Sequence, residues 1–317
     1  MRAITFSAVF ILCASLSYAQ EKSSELLPII DMHLHGGHKA GRFATEPDGT
    51  TPLRRLCFPE PCFHAPARVE KASDILPLTL ETMKEHNIVL GVVSDQPPQI
   101  LEWDKTDPDR FMLGFFMKHP SEVGLPQLRE LFRSGEFQVL GELAFQYENV
   151  AIDDPMLDQI FSMAEELGIP LHLHLAGLGG RPNFPIHLGN PLRLSKVLRK
   201  HPSLRIYIEN ASWPFLEEIT SLMYIYPNVY ADLSTITWII PRETFHAYLR
   251  GLVQNGLSKR LMFGSDQMMW PETIPLAVAA IESADFLSEE QKRDIFYNNA
   301  ARFLRLSEEE IARHHGK

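Results

Sequence analysis

Leu26-Leu27-Pro28-Ile29-Ile30-Asp31-Met32-His33-Leu34-His35 reads as a buried strand that ends in two histidines. Side chains on a strand alternate between faces, so positions i and i+2 point the same way. His33 and His35 therefore converge on one side, as two ligands of one metal ion must. Neutral imidazole suits zinc, iron, nickel or copper, whereas hard cations prefer oxygen. Taken alone, the pair reads equally well as two half-buried histidines at a strand end. What the chain does next decides between the two.

Working outward, short apolar and β-branched runs recur at Pro28–His33, Ile88–Val93, Phe111–Phe116, Val139–Leu143, Pro170–Leu175, Leu204–Glu209, Val229–Leu233 and Leu261–Phe263. Amphipathic stretches lie between them, among them Ser73–His86, Glu122–Phe132, Pro155–Leu167, Leu192–Lys200, Trp213–Ile225, Arg242–Asn255 and Glu272–Glu282. Strand and helix in alternation argue for parallel βα units. Eight such units predict an α/β chain folded as a single (β/α)8 TIM barrel, over residues 20–317. The rival, a doubly wound open sheet, usually carries a glycine-rich phosphate loop after its first strand. This chain has His-x-His there. The stretch from Gly36 to Arg68 is a long Pro- and Gly-containing loop after strand one. In a barrel such a loop falls on the active-site face and is expected to cover the site. Ser288–Leu306 reads as a closing helix, with Ser288 as N-cap of a capping box.

The composition narrows the class. The 317 residues are 45% hydrophobic and 22% charged, which is globular. A net charge of -10 with no long block of one sign argues against binding nucleic acid or anionic membrane by bulk electrostatics. Residues 1–19 have the pattern of a secretion signal: Arg2, an apolar core from Ala8 to Leu16, and Ser17-Tyr18-Ala19 as cleavage site. That predicts a secreted or periplasmic protein without a membrane anchor, since the apolar run is too short for a permanent span. Cys13 would leave with the signal, and Cys57 and Cys62 would form a local disulfide pinning the loop.

Candidate site residues then fall at strand ends. Glu142 closes strand four, where a carboxylate would bind or bridge metal or bind substrate. Strand five offers His172 and His174; His174 is nearer the mouth and the better ligand, while His172 lies one layer deeper. Asp266 ends strand eight, placed to orient a metal-bound water and accept its proton. Arg181 and His187 follow strand five, and Arg181 suits a substrate carboxylate. Trp238 and Trp270 follow strands seven and eight, as pocket walls or as packing between helices.

This ordered set resembles the amidohydrolase superfamily, within it the amidohydrolase-2 group of hydrolases, lactonases and decarboxylases. The residues carrying the resemblance are Asp31-Met-His33-Leu-His35, Pro170-Leu-His-Leu-His174, Asn228-Val-Tyr-Ala-Asp232-Leu-Ser, Leu261-Met-Phe-Gly-Ser-Asp266 and Ile295-Phe-Tyr-Asn-Asn-Ala-Ala-Arg-Phe-Leu. It spans nearly the whole chain after the signal. It implies that His33, His35 and His174 bind one divalent metal, usually zinc, and that Asp266 binds metal or holds the nucleophilic water. Glu142 looks like the strand-four glutamate of the TatD-like branch, which contributes to metal binding; one metal per chain is expected, with a second possible. The strand-four lysine that other branches carbamylate is absent. Where the group usually has a histidine after strand six, Asn210 stands here; it cannot act as a base, though it can donate a hydrogen bond to a substrate carbonyl. Glu209 could compensate only weakly, since alternation points it away from Asn210. For this group a homodimer is the default expectation. The expected activity is metal-dependent hydrolysis of an amide, cyclic amide, lactone or ester of a small molecule, with Asp266 as general base. The alternatives are a metal-dependent non-oxidative decarboxylase and a catalytically idle barrel that binds ligands.

Overall fold

The computed structural model describes residues 26–36, 72–97, 99–179 and 183–316. Residues 1–19, Cys57, Cys62, most of the loop after strand one, and Arg181 lie outside the described residues. Eight parallel strands stand in the order β1 to β8: Ile29–His35, Ile88–Asp95, Phe111–Met117, Val139–Leu143, Leu171–Leu173, Ile206–Ile208, Val229–Asp232 and Leu261–Met262. The short last strand closes against the first through backbone bonds. Met32 N–H donates to Phe263 O (3.0 Å), Asp266 N–H to His33 O (2.9 Å) and His35 N–H to Gln267 O (2.8 Å). The result is the barrel that the periodicity predicts.

Helices cover the outside: α1 Ile75–Glu85, α2 Gln99–Thr106, α3 Leu125–Arg133, α4 Asp158–Leu167, α5 Leu194–Lys200, α6 Leu216–Ile225, α7 Ile236–Ile239, α8 Arg242–Gln254 and α9 Thr273–Glu282. Among the described residues no helix is long and apolar enough to cross a membrane. One core layer lies between strands and helices. A second fills the barrel itself, with Ile30, Met32, Leu90, Val92, Val139, Tyr207 and Met262 packed together. A filled interior means the chemistry sits in the mouth and not in a pore.

The β1–β2 register slips between Asp31 and Leu34, where two β1 residues stand opposite one β2 residue. Such bulges re-aim side chains at functional ends of strands. Up to this bulge, Ile30 and Met32 pack in the barrel interior; beyond it, Leu34 packs in the outer layer, while His33 and His35 face the mouth.

The chain after Ser288 closes the opposite end. It runs as Glu289–Arg293 (α10), a π turn over Asp294–Asn298, and Asn299–Leu304 (α11), where the sequence suggests one continuous helix. At the π turn the Ile295 carbonyl accepts from Phe263 N–H (2.8 Å), and Asn299 Nδ2 donates to the carbonyls of Ser258 and Leu261. Phe303 meets Tyr207 edge-on at 5.4 Å, under the barrel floor. The predicted capping box is present: Gln291 N–H donates to Ser288 Oγ, and Ser288 N–H to Gln291 Oε1. Ser288→Ala should therefore cost about 1 kcal/mol, read as a lower urea midpoint, with metal content unchanged.

Candidate metal centre

His33 and His35 leave β1 side by side, their Nε2 atoms 3.2 Å apart. Asp266 Oδ1 lies 3.5 and 3.0 Å from those two atoms, and Glu142 Oε2 lies 4.0 and 3.5 Å away. All four residues are buried. Asp266 sits in the left-handed region at φ 48°, held by the bond from its N–H to His33 O, and its Oδ2 accepts from the Thr235 hydroxyl. Burial pulls His33 down to about 4, because the imidazolium would have to be desolvated. Burial would raise the Asp266 carboxyl, but the facing imidazoles outweigh it and hold it at about 2. At neutral pH His33 is thus a neutral imidazole beside an ionised Asp266, the protonation states a metal ion requires of them.

A second group shares Glu142. His174 Nδ1 lies 3.0 Å from Glu142 Oε1 and in short contact with Glu209 Oε1. Its Nε2 is 3.0 Å from the Leu178 carbonyl, which can only accept, so the Nε2 proton is fixed and Nδ1 faces the two acids. Burial lowers the His174 pKa, yet the Glu209 charge outweighs it and holds the ring protonated well above the ordinary histidine range. Glu209 is itself pushed up to about 8, chiefly by burial. Without a cation, a proton stands between these groups where the positive charge belongs.

Among the described residues three ligand sets emerge, each within 4.8 Å: His33, His35 and Glu142; Glu142, His174 and Glu209; and His33, His172 and Asp232. The third lies deeper. His172 stacks on Tyr207 at 4.2 Å, and its Nε2 is 3.5 Å from Asp232 Oδ2. His35 Nδ1 makes no hydrogen bond despite its burial, and Asp266 Oδ1 faces only the two imidazole Nε2 atoms. Such orphaned groups in an acidic, imidazole-rich pocket fit a bound divalent cation.

The structure brings His33, His35, Glu142, His174 and Asp266 together, and it adds Glu209. That residue, and not Asn210, occupies the place after strand six facing the cluster. The alternation that would turn Glu209 away stops after Ile208. Asn210, Ala211 and Ser212 all have positive φ (58°, 43° and 57°). Ser212 Oγ donates to Leu175 O and the Tyr248 hydroxyl to Ala211 O, which hold the turn in place. Asn210 is 2% exposed, and its Nδ2 donates to Glu209 Oε1 (3.0 Å). Trp238 is buried and donates from Nε1 to Ser265 O, beside Asp266; Trp270 is buried in the outer core layer, and His187 is exposed. Around His174 stand aromatic walls that the sequence reading missed: Tyr147 at 4.7 Å and Phe184 at 5.6 Å between ring centroids.

Eight βα units carrying an imidazole and carboxylate cluster on the rim define a metal-site TIM-barrel protein of the enzyme type. The chain belongs to the amidohydrolase family: the amidohydrolase-2 family model, described as an amidohydrolase, matches residues 30–306. The members are metal-dependent enzymes. Protein fluG of Emericella nidulans is 28% identical over 155 residues, covering 44% of this chain and 18% of that protein. The chain thus spans under a fifth of that curated relative. Among solved structures, 5-carboxyvanillate decarboxylase from Sphingomonas paucimobilis superposes with a TM-score of 0.60 at 16% identity, covering 89% of this chain and 100% of that one. A dihydroxybenzoic acid decarboxylase from Polaromonas, with bound manganese and the inhibitor 2-nitroresorcinol, superposes with a TM-score of 0.60 at 16% identity, covering 90% and 98%. At these identities the likeness is one of fold.

Proposed function

We propose that this protein is a metal-dependent hydrolase of a C–N or C–O bond in a small molecule, such as an amide, cyclic amide, lactone or ester. The observation that carries the reading is the convergence of His33, His35, Glu142 and Asp266 on one point of the barrel mouth. His33, His35 and Asp266 would hold one ion, His174 and Glu209 a second, with Glu142 shared. Zinc suits the first set; the second, richer in oxygen, accepts a harder ion such as manganese. A bound cation supplies Lewis acidity and acidifies water. Asp266, ionised and fixed by Thr235, takes the proton and passes it to the leaving group. Glu142 balances charge across both sets. Tyr147 and Phe184 keep bulk water from the His174 side. The signal pattern makes secretion or periplasmic residence part of the proposal, tested by N-terminal sequencing of exported protein.

The Tyr147 and Phe184 faces also favour a second reading. They offer aromatic faces, tilted 58° to each other, to an aromatic carboxylate, and the Sphingomonas and Polaromonas enzymes named above are decarboxylases of such acids. The test is a screen of metal-loaded protein against lactones, amides, esters and aromatic carboxylates in 18O-labelled water. Label in the product without carbon dioxide supports hydrolysis. Carbon dioxide without label selects decarboxylation. Binding without turnover of any of them overturns both.

A further inference from the structure

The sequence motif around Asp232 and Ser234 is not used by the ligand assignment, and Asn210 stands in the buried turn without touching the proposed ions. We propose that Ser234, Asp232 and Asn210 form one positioning network that couples the two metal subsites. The inference rests on the two-subsite reading above.

Ser234 is the junction. Its Oγ lies 3.1 Å from His33 Nδ1, 2.5 Å from Asp232 Oδ1 and 3.2 Å from Asn210 Oδ1. A hydroxyl carries one proton, and the carboxylate and the amide oxygen can only accept. The Ser234 proton therefore goes to Asp232 or Asn210, and Oγ accepts from His33 Nδ1–H. That fixes the His33 tautomer and leaves the Nε2 lone pair facing the first subsite. Asp232 Oδ1 also accepts from the backbone N–H groups of Ser234 (3.0 Å) and Asn210 (3.2 Å), tying the end of β7 to the left-handed turn after β6. Asn210 Oδ1 faces Ser234 Oγ at 3.2 Å, and on the other side of the amide Nδ2 donates to Glu209 Oε1. Glu209 in turn meets His174.

The connection His33–Ser234–Asn210–Glu209–His174 thus runs from β1 to the segment after β5 through side chains that are all buried. One subsite is set from each end of it. Breaking the middle releases both the His33 ring and the Glu209 carboxylate. A mere packing role for these three residues would change stability and leave metal affinity alone.

The test uses full-length protein stripped of metal and titrated with Zn2+ and with Mn2+ against a chromophoric chelator. Two dissociation constants are expected for the parent. Ser234→Ala should weaken both subsites, by about 10–100-fold, the usual cost of removing a ligand's support. Asn210→Asp keeps the acceptor for Ser234 but sets a like charge against Glu209. It should weaken the second subsite by about the same factor and spare the first. In the Mn2+ form, it should also abolish the exchange-coupled electron paramagnetic resonance signal of two ions sharing a carboxylate. Asn210→Gly tolerates the positive φ, removes the amide and should weaken both subsites. Combined with Ser234→Ala it should cost less than the sum of the two, since both cut one chain. Asn210→Asp is nearly isosteric, so it carries the test if Ser234→Ala fails to fold. Parent-like affinities at both subsites in folded variants overturn the network. A parent that binds one ion or none overturns the two-subsite reading, and the network falls with it.

Discussion

His33→Ala combined with His35→Ala removes the first metal ion and all turnover. Both Nε2 atoms of the first subsite come from this pair, 3.2 Å apart, and what remains is two carboxylates, Glu142 and Asp266. Two acids without imidazoles offer no selectivity for zinc over the abundant hard cations. Plasma mass spectrometry of protein purified without added metal reads the ion directly. Melting curves give a second readout. A ligand that binds only the folded state stabilises it by about 4 kcal/mol when its free concentration is a thousandfold above Kd. In a chain of this size that is on the order of 10 °C. A chelator should lower the parent's melting temperature by that order and shift the double variant far less. Full metal content in the double variant would remove the basis of the assignment.

The barrel was legible because its signal is repeated. Each βα unit restates a period of two followed by one of 3.6, so a misjudged boundary in one unit leaves the count intact. The helix α2, Gln99–Thr106, is absent from the sequence reading because, over its described side chains at 100–106, just Ile100 and Trp103 are buried, too little for a periodic stripe. Histidines at i and i+2 of a strand were legible for a local reason: their convergence needs only a pleat. Glu209 was not, because its direction depends on three successive residues in the left-handed region. None of Asn210, Ala211 and Ser212 is a glycine, so nothing in the sequence announces the turn. The bonds that hold it come from Leu175 and Tyr248, distant in the chain. Sequence alternation therefore overreached at the point where strand six ends. The role of Ser234 was hidden for a similar reason, since its partners come from strands one, six and seven at once.

Asp266→Asn separates holding the metal from using it. The change keeps the shape, the φ of 48° that Asn also tolerates, and the contact with Thr235. His33, His35 and Glu142 remain, so most of the metal should stay bound. The proton acceptor is gone, because an amide oxygen is too weak a base to take a proton from water near neutral pH. Loss of a positioned general base costs about 10²–10⁴-fold in turnover, or roughly 3–5 kcal/mol in the barrier. The loss should appear in kcat, with KM changing little, because the group acts in the transition state and not in binding. Asp266→Ala is the contrasting variant. It opens the first subsite as well and should lose metal together with activity. Thr235→Val releases Oδ2 of Asp266 while leaving the carboxylate, so it should cost far less than either. Near-normal kcat in metal-loaded Asp266→Asn would mean that another group takes the proton. Glu209 would then be the first to examine, since its Oε2 lies 3.8 Å from His33 Nε2 and faces the same cluster.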